Sequence, residues 1–260
     1  MHDEKMCIAV ITHKDVKRYV MNGYEYLFVG AYDKDKASIG DGYFFDDEGD
    51  SISKLNKYYA EITGLYWMWK NTDYDIYGLV HYRRFFSTRR IVKSHRFFLS
   101  DNQIENLLKK YDYIIPLKYY VQGNSNKANY EMYHNNDLLR MRAVIEEWFP
   151  DYLDDYDEVL KQNYLYPFNM FICKCDKFDD YCKWLFDVIN KSGFDLSEYD
   201  GKQSRVYGFM SERLFNVWIK HGKFKCKEVP VIQTDSSLSY RIKQIIQSII
   251  KKNISTQHIR

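Results

Sequence analysis

Residues 76–86 read IYGLVHYRRFF, and this segment predicts the central strand of the fold. It is apolar and aromatic as far as His81, which is typical of a buried β-strand. The basic pair Arg83 and Arg84 follows at once. Two guanidinium groups at the end of a buried strand predict an anionic ligand such as a diphosphate, because arginine makes bidentate contacts with phosphate oxygens. The alternative is that one arginine faces solvent and the other pairs with an internal carboxylate.

The segment CIAVIT at residues 7–12 predicts a second buried strand. Thr12 and His13 lie at its carboxyl end. Ligands of open α/β sheets bind outside the carboxyl ends of the strands. Thr12, His13 and His81 therefore join the two arginines as candidate ligand-binding residues.

Strand and helix patterns alternate along the remaining chain. Helices are predicted at residues 53–71, 100–110, 177–191 and 208–220, with more helical sequence between 123 and 163. Strands are predicted at residues 113–116, 169–174 and 229–232. Residues 31–53 form a predicted long loop. This order predicts an α/β fold with a mostly parallel central sheet flanked by helices, in one domain over residues 1–237.

Composition narrows the function classes. The chain has 260 residues, with Lys+Arg 38 against Asp+Glu 36, so a nucleic-acid partner bound through bulk charge is disfavoured. Hydrophobic residues make up 45%, enough for a full globular core. The 25 tyrosines would suit stacking on sugars or bases.

The sequence contains no apolar run of the roughly 20 residues that would cross a bilayer, and its start lacks a secretory signal pattern. We therefore expect a cytoplasmic protein. The five cysteines form no CxxC pairs, so we interpret them as reduced packing residues.

Glu212 lies in the segment GFMSERLF, which predicts a helix entered from Gly208. In the first turn of that helix its carboxylate could face the crevice and act as a general base. The alternative is that Ser211 and Glu212 only cap the helix. Arg213 follows Glu212 directly, and a surface ion pair explains this arginine as well as a role in the site does.

Glu61 lies in the aromatic segment YYAEITGLYWMWK, where an acid either meets a hydroxylated ligand or faces water.

Metal ligands are harder to assign. Asp73 and Asp75 precede the central strand and so lie at its wrong end, and no histidine spacing predicts zinc. Acidic loop pairs such as Asp46 and Asp47 are usually solvated. We therefore assign no metal site.

Residues 238–252 read LSYRIKQIIQSIIKK and predict an amphipathic helix with basic residues beside an isoleucine stripe. Such a helix can lie on an anionic membrane, where each basic residue contributes on the order of 1 kcal/mol. The alternative is that the stripe covers the core of the domain. We treat residues 238–260 as a separate basic helix and tail.

Five segments, in order and at similar spacing, resemble one family of bacterial polysaccharide-cluster proteins. They are ISKLNKYYAEITGLYWMWKN (52–71), YGLVHYRRFF (77–86), LLKKYDYIIP (107–116), FNMFICK (168–174) and RVYGFMSERLF (205–215). That family, first catalogued as a domain of unknown function, contains galactofuranosyltransferases of capsule and O-antigen synthesis. The resemblance runs from about residue 6 to about residue 235.

The resemblance implies a GT-A nucleotide-sugar transferase fold and an inverting reaction. Galactofuranose would move from UDP-galactofuranose to a sugar hydroxyl of a lipid-linked capsular, exopolysaccharide or O-antigen glycan, at the inner face of the plasma membrane. Glu212 would be the catalytic base. His81, Arg83, Arg84, Thr12, His13 and Glu61 would contact the donor, and Asn169, Tyr59 and Asn56 the acceptor.

The sequence departs from the usual GT-A pattern at the end of the central strand. Where an Asp-x-Asp metal site is expected, this chain has His81 to Arg83. We therefore hypothesise that arginine replaces the divalent cation.

Two other functions stay open at this point: a non-catalytic glycan-binding or scaffold protein of the same assembly complex, and a nucleotide-sugar hydrolase.

Overall fold

The computed structural model describes residues 4–134 and 136–257. It is an α/β protein whose helices flank a central sheet. The strands are β1 Met6–Thr12, β2 Tyr24–Phe28, β3 Phe44–Phe45, β4 Ile76–His81, β5 Arg84–Phe86, β6 Tyr113–Pro116, β7 Tyr119–Tyr120, β8 Tyr164–Leu165, β9 Phe171–Lys174, β10 Cys226–Val229 and β11 Val231–Gln233. The helices are α1 Asn56–Tyr59, α2 Ile62–Asn71, α3 Asp101–Leu108, α4 Asn126–Glu131, α5 Asp137–Trp148, α6 Leu153–Lys161, α7 Cys175–Ser192, α8 Val206–His221 and α9 Leu238–Gln257.

The main sheet has the order β10-β6-β9-β4-β1-β2-β3, with β5 and β11 attached beside β4. Along this order β9 is antiparallel to both of its neighbours, whereas the β10-β6, β4-β1, β1-β2 and β2-β3 pairs are parallel. The predicted mostly parallel sheet is therefore confirmed. The parallel pairing of β1 with β4 aligns Ile11 with His81, so the carboxyl ends of these two central strands meet at one edge.

Alternate residues of the central strands bury on opposite faces of the sheet, as the period of two requires. In β1, Ala9 and Ile11 join the larger core cluster, while Ile8 and Val10 join the smaller one. Helices α2, α7 and α8 supply the larger cluster, and α3 contributes Ile104 to the smaller. Burial on both faces explains why the strand segments read as nearly continuous apolar runs.

Several predicted boundaries differ from the structure, among them that of the strand predicted over residues 229–232, which Pro230 divides into β10 and β11. The helix over residues 53–71 is interrupted by Ala60, which has a left-handed φ of 51° and divides it into a short 3₁₀ turn, α1 and α2. The strand predicted from 169 begins at Phe171, because Phe168 and Asn169 adopt positive φ values of 77° and 52°. Helix α8 begins at Val206, two residues earlier than predicted.

The predicted long loop, residues 31–53, is held in place by a buried acid. Asp46 is fully buried, and its carboxylate accepts hydrogen bonds from the backbone N–H groups of Gly30 and Ala31 and from the hydroxyls of Ser53 and Thr63. The interpretation of this acidic cluster as solvated is therefore wrong for Asp46. The hydrophobic pattern of the sequence does not indicate these hydrogen-bond donors, which lie near the two ends of the loop.

Helix α9 presents its apolar side outward. Ile242, Ile246 and Ile249 are 41%, 51% and 52% exposed, while Arg241 and Gln244 on the opposite side are half-buried. The alternative that the isoleucine stripe covers the core is therefore wrong for Ile242, Ile246 and Ile249, whereas Ile245 is half-buried on the inner side. The side chains of Lys251 and Lys252, which were assigned to the basic flank, lie outside the described residues. No helix in the described ranges is both long enough and apolar enough to span a bilayer.

Candidate functional site

A cavity of about 970 Å³ opens at the carboxyl ends of β1 and β4. The chain reverses sharply between β4 and β5, so that His81 and Arg84 lie directly opposite each other in an antiparallel pair. Side chains of such a pair project from the same face of a sheet. Both line the cavity, together with residues from the break between α1 and α2, from α8 and from the segment before β9.

Most of the sequence-predicted site residues meet in this cavity. Those that line it are His13, Asn56, Glu61, His81, Arg83, Arg84 and Glu212. They come from regions separated by up to about 200 positions, and the carboxyl edge of the sheet explains why they converge. Their roles as donor contacts, acceptor contact or base remain predictions.

Thr12, Tyr59 and Asn169 are buried and do not border the cavity. The Thr12 hydroxyl donates to the Lys14 carbonyl at 2.6 Å, and the Tyr59 ring packs on Tyr207 with centroids 4.7 Å apart. Asn169 donates from Nδ2 to Glu61 Oε1 at 2.8 Å. None of the three lines the cavity, so the predicted donor contact of Thr12 and the predicted acceptor contacts of Tyr59 and Asn169 stay predictions without support from the cavity lining.

Glu212 lies in the second turn of α8, not in the first turn as predicted, so the helix dipole is not its main influence. Oε1 accepts the backbone N–H of Phe168 at 2.8 Å, and Oε2 accepts from Arg213 Nη1 at 3.2 Å. Burial raises the pKa of Glu212, and the Arg213 charge only partly opposes this. A carboxylate with a raised pKa, held in fixed orientation, is suited to take a proton from a hydroxyl.

Glu61 immediately precedes α2 and supplies a buried carboxylate to the same cavity. Arg205 Nη2 donates to Oε2 at 3.1 Å, while Asn169 holds Oε1. The left-handed Ala60 turns the chain just before this residue, which directs Glu61 inward and leaves the aromatic residues after it to the core. Of the two sequence alternatives for Glu61, exposure to water is wrong, because the residue is buried. It lines the cavity, and its contact with a hydroxylated ligand stays a prediction.

His81 is a neutral hydrogen-bond donor in this cavity. Its Nε2 lies 2.8 Å from the Phe168 carbonyl oxygen, so this nitrogen carries the proton. Burial lowers the pKa of His81, although the Glu61 charge opposes the shift. The ring is therefore uncharged near neutral pH and adds no positive charge to that of the arginines.

The two arginines after β4 have different environments. Arg83 is partly exposed and pairs with Asp235 at 3.2 Å. Arg84 points inward, with its guanidinium 4.4 Å from the centre of the Phe168 ring. Its Nε is buried and has no hydrogen-bond partner among the described residues. Burial lowers the pKa of Arg84, and the neighbouring Arg83 adds to this. Arg84 is thus a partly desolvated cation whose Nε–H is free to donate to a ligand, whereas Arg83 is ion-paired at the surface.

One face of α8 lines the cavity, and sequence reasoning found only part of it. The residues on this face are Arg205, Gly208, Phe209, Glu212 and Arg213. Their spacing of three and four positions is the helical period, so this stripe was detectable once Glu212 had been placed in a helix. Arg213 is 4% exposed and donates to Asn129 Oδ1 at 3.0 Å, so its assignment to a surface ion pair is wrong.

Aromatic side chains also line the cavity. Tyr130 stacks on His134 at 4.5 Å between centroids, and Phe209 lies 4.7 Å from the same imidazole. Burial lowers the pKa of His134, and its Nδ1 is buried without a hydrogen-bond partner among the described residues. Tyr130 lies in α4 and His134 follows it, in a region where the sequence indicated only helix and loop. No group of three or more potential metal ligands was found in the described ranges.

Fold and site together define a mostly parallel α/β protein with a charged ligand cavity at the carboxyl edge of its sheet. The chain belongs to the family described as DUF4422, a domain of unknown function, which matches residues 7–223. A comparison with curated proteins found no match. Among solved structures, the chain is similar to the WbbM bifunctional glycosyltransferase in its apo form, with a TM-score of 0.79 and 26% sequence identity. The similar region covers 89% of this chain and 46% of that one, so the chain spans about half the length of WbbM.

Proposed function

We propose that this protein is a glycosyltransferase that uses a nucleotide-sugar donor and a glycan acceptor. The similarity to a bifunctional glycosyltransferase supports this class of activity. The observation that carries the proposal is the composition of the cavity, which the buried Glu61, the half-buried Glu212 and the partly desolvated cation Arg84 line together. Glycosyl transfer needs both: a base for the acceptor hydroxyl and positive charge for the departing nucleoside diphosphate.

In the proposed reaction the acceptor hydroxyl oxygen attacks the anomeric carbon of the donor sugar. Glu212 takes the hydroxyl proton as the new carbon–oxygen bond forms, and the bond from the anomeric carbon to the β-phosphate oxygen breaks on the opposite side. The configuration at the anomeric carbon is therefore inverted. Contacts with Phe168 N–H and Arg213 leave lone pairs on both Glu212 oxygens for the incoming hydroxyl.

Negative charge develops on the leaving diphosphate, and Arg84 is the residue best placed to stabilise it. Its guanidinium is already partly desolvated, which would reduce the solvent reorganisation that accompanies the reaction. Arg83 and His13 lie at the same edge and would extend the donor subsite. Electropositive surroundings there are consistent with the pKa of His13, which burial and the charges of Lys14, Arg205 and Arg83 lower.

Galactofuranose is the donor sugar that we propose, with UDP as its carrier, on the resemblance of five segments to galactofuranosyltransferases of polysaccharide clusters. The acceptor would be a lipid-linked capsular, exopolysaccharide or O-antigen glycan. The outward isoleucines of α9 support a position at the inner membrane face, since an exposed apolar stripe beside basic residues matches an interfacial helix.

A panel of UDP-sugars, each incubated with the protein and a lipid-linked oligosaccharide, tests the proposal by mass spectrometry. We expect one added hexose, formed only with UDP-galactofuranose and only when acceptor is present. Sugar release without acceptor would indicate a hydrolase. Glycan binding without turnover of any donor would indicate a non-catalytic component of the assembly complex.

A further inference from the structure

A second cavity, of about 180 Å³, lies between α9 and the catalytic cavity. Tyr119, Pro167, Phe168 and Arg84 border both cavities, so the two are neighbours that share a wall. Its volume is less than a fifth of that of the first cavity, which suits a phosphate group better than a sugar chain.

The lining of this second cavity is cationic. Its charged residues are Arg84, Arg90, Lys118 and Arg241, and no aspartate or glutamate is among its lining residues. Arg241 donates from Nε to the Ile91 carbonyl at 2.9 Å and from Nη1 to the Ser236 carbonyl at 2.7 Å. These contacts orient the guanidinium without neutralising it, because both acceptors are uncharged. An excess of positive charge in a confined space favours an anionic ligand.

The orientation of α9 places this cavity beside an apolar surface. Arg241, Gln244 and Ser248 line the cavity from the inner side of the helix. Ile242 and Ile249 are exposed on the other side. An amphipathic helix of a globular protein ordinarily buries its apolar side. The reversed arrangement leaves a phosphate-sized cationic cavity between an apolar outer face and the catalytic cavity.

We infer that the second cavity binds the phosphate groups of the lipid carrier to which the acceptor glycan is attached, an inference that rests on the proposed function. The carrier chain would lie along the exposed isoleucines. The attached sugar would cross the shared wall near Tyr119 and Phe168 toward Glu212. The donor diphosphate would occupy the other side of Arg84, so a single guanidinium separates the two anions.

Calorimetry with a short-chain alkyl diphosphate tests this site directly. We expect the double substitution Lys118→Gln with Arg241→Gln to weaken binding of the alkyl diphosphate about tenfold or more, since charge-assisted hydrogen bonds to phosphate are lost. Lys243→Gln on the exposed side of α9 is the matched control and should bind like the wild type. Thermal melting establishes that each variant is folded.

Two further ligands identify the source of the phosphate. UDP should bind the double variant and the wild type equally, and an equal loss for UDP would assign the cavity to the donor and overturn the inference. Inorganic phosphate should bind more weakly than the alkyl diphosphate, and equal affinity would contradict recognition of a carrier lipid. The inference would also be overturned if the double variant bound the alkyl diphosphate with the affinity of the wild type.

Kinetics separate this inference from the proposed function. With a diphosphate-linked acceptor the double variant should show a KM for acceptor raised about tenfold, while a free oligosaccharide acceptor should be used as by the wild type. Absence of transfer by the wild-type protein with every donor would contradict the proposed function and leave the calorimetric result standing. Transfer with an unaltered acceptor KM in the variant would contradict only the carrier site.

Discussion

At the scale of single residues, the cavity is organised by the partners of its two carboxylates. Glu212 is held by a backbone N–H and by Arg213, whereas Glu61 is held by Asn169 and Arg205. Burial raises the pKa of Glu212. This difference in environment assigns the proton-accepting role to Glu212 and a binding role to Glu61 in the proposed reaction.

Replacing Glu212 with Gln tests the assignment. The substitution preserves shape and removes the base, so we expect kcat to fall by about 10²- to 10⁴-fold. Glu61→Gln is the matched control in the same cavity, and we expect its main effect on the KM for the donor. Steady-state kinetics and circular dichroism provide the measurements. A folded Glu212→Gln protein with full transferase activity would remove the base assignment.

The pH dependence of kcat/KM follows from the same residue. Only the ionised form of Glu212 accepts a proton, so activity should fall as the pH falls through its pKa. Because burial raises that pKa, the acid limb should lie above the ~4.3 of an ordinary glutamate. The negative charge of Glu61 also raises the pKa of Glu212, so Glu61→Gln should move the limb to lower pH. A limb that stays in place or moves to higher pH would contradict this account.

At the scale of elements, the structure joins segments by buried polar contacts as well as by apolar packing. The loop that contains β3 is attached to the start of α2 through Asp46, whose four donors come from both sides of it. The break between α1 and α2 directs Glu61 into the cavity. Helix α9, in contrast, leaves its apolar side uncovered within the described structure.

Asp46→Ala should destabilise the protein by on the order of 3 kcal/mol, because it leaves buried donors without their charged acceptor. Chemical denaturation would measure the change in the free energy of unfolding. Asp33→Ala, an exposed acid in the same loop, is the control and should leave the stability unchanged. Equal stabilities of the two variants would show that the Asp46 contacts do not anchor the loop.

Truncation after Ser237 tests both the proposed domain boundary and the role of α9. Since the isoleucine side of this helix is exposed, we expect the shortened protein to keep its fold and to lose binding to anionic vesicles. Vesicle sedimentation and thermal melting distinguish the two effects. If the truncated protein unfolds, the helix belongs to the domain core.

At the scale of the whole molecule, the sheet brings distant residues to one edge. Parallel β1 and β4 end together, the β4–β5 reversal places His81 opposite Arg84, and α8 crosses the same edge with Glu212. In the proposed reaction, a cation at the end of the central strand would then be available to the leaving diphosphate. This arrangement supports the hypothesis that arginine replaces a divalent metal ion.

Transferase activity should therefore persist in EDTA. A radiolabelled-donor assay with and without the chelator measures this, and Arg84→Gln should lower kcat because the leaving group loses its stabilising charge. Arg83→Gln, at the partly exposed position, is the comparison and should have the smaller effect. Loss of activity in EDTA with recovery on addition of manganese would contradict the hypothesis.

The sequence alone determined the α/β fold, the central strand and its basic end, because apolar runs and charge at strand ends are local properties of the chain. It also singled out Glu61 and Glu212 as acids in otherwise apolar or aromatic surroundings. Only the tertiary structure decided that Arg213 is buried, that Asp46 anchors a loop and that Asn169 supports Glu61. Those outcomes depend on contacts between residues far apart in the chain. The tertiary structure also decided the orientation of α9, since an amphipathic pattern specifies two sides of a helix but not which of them meets the protein.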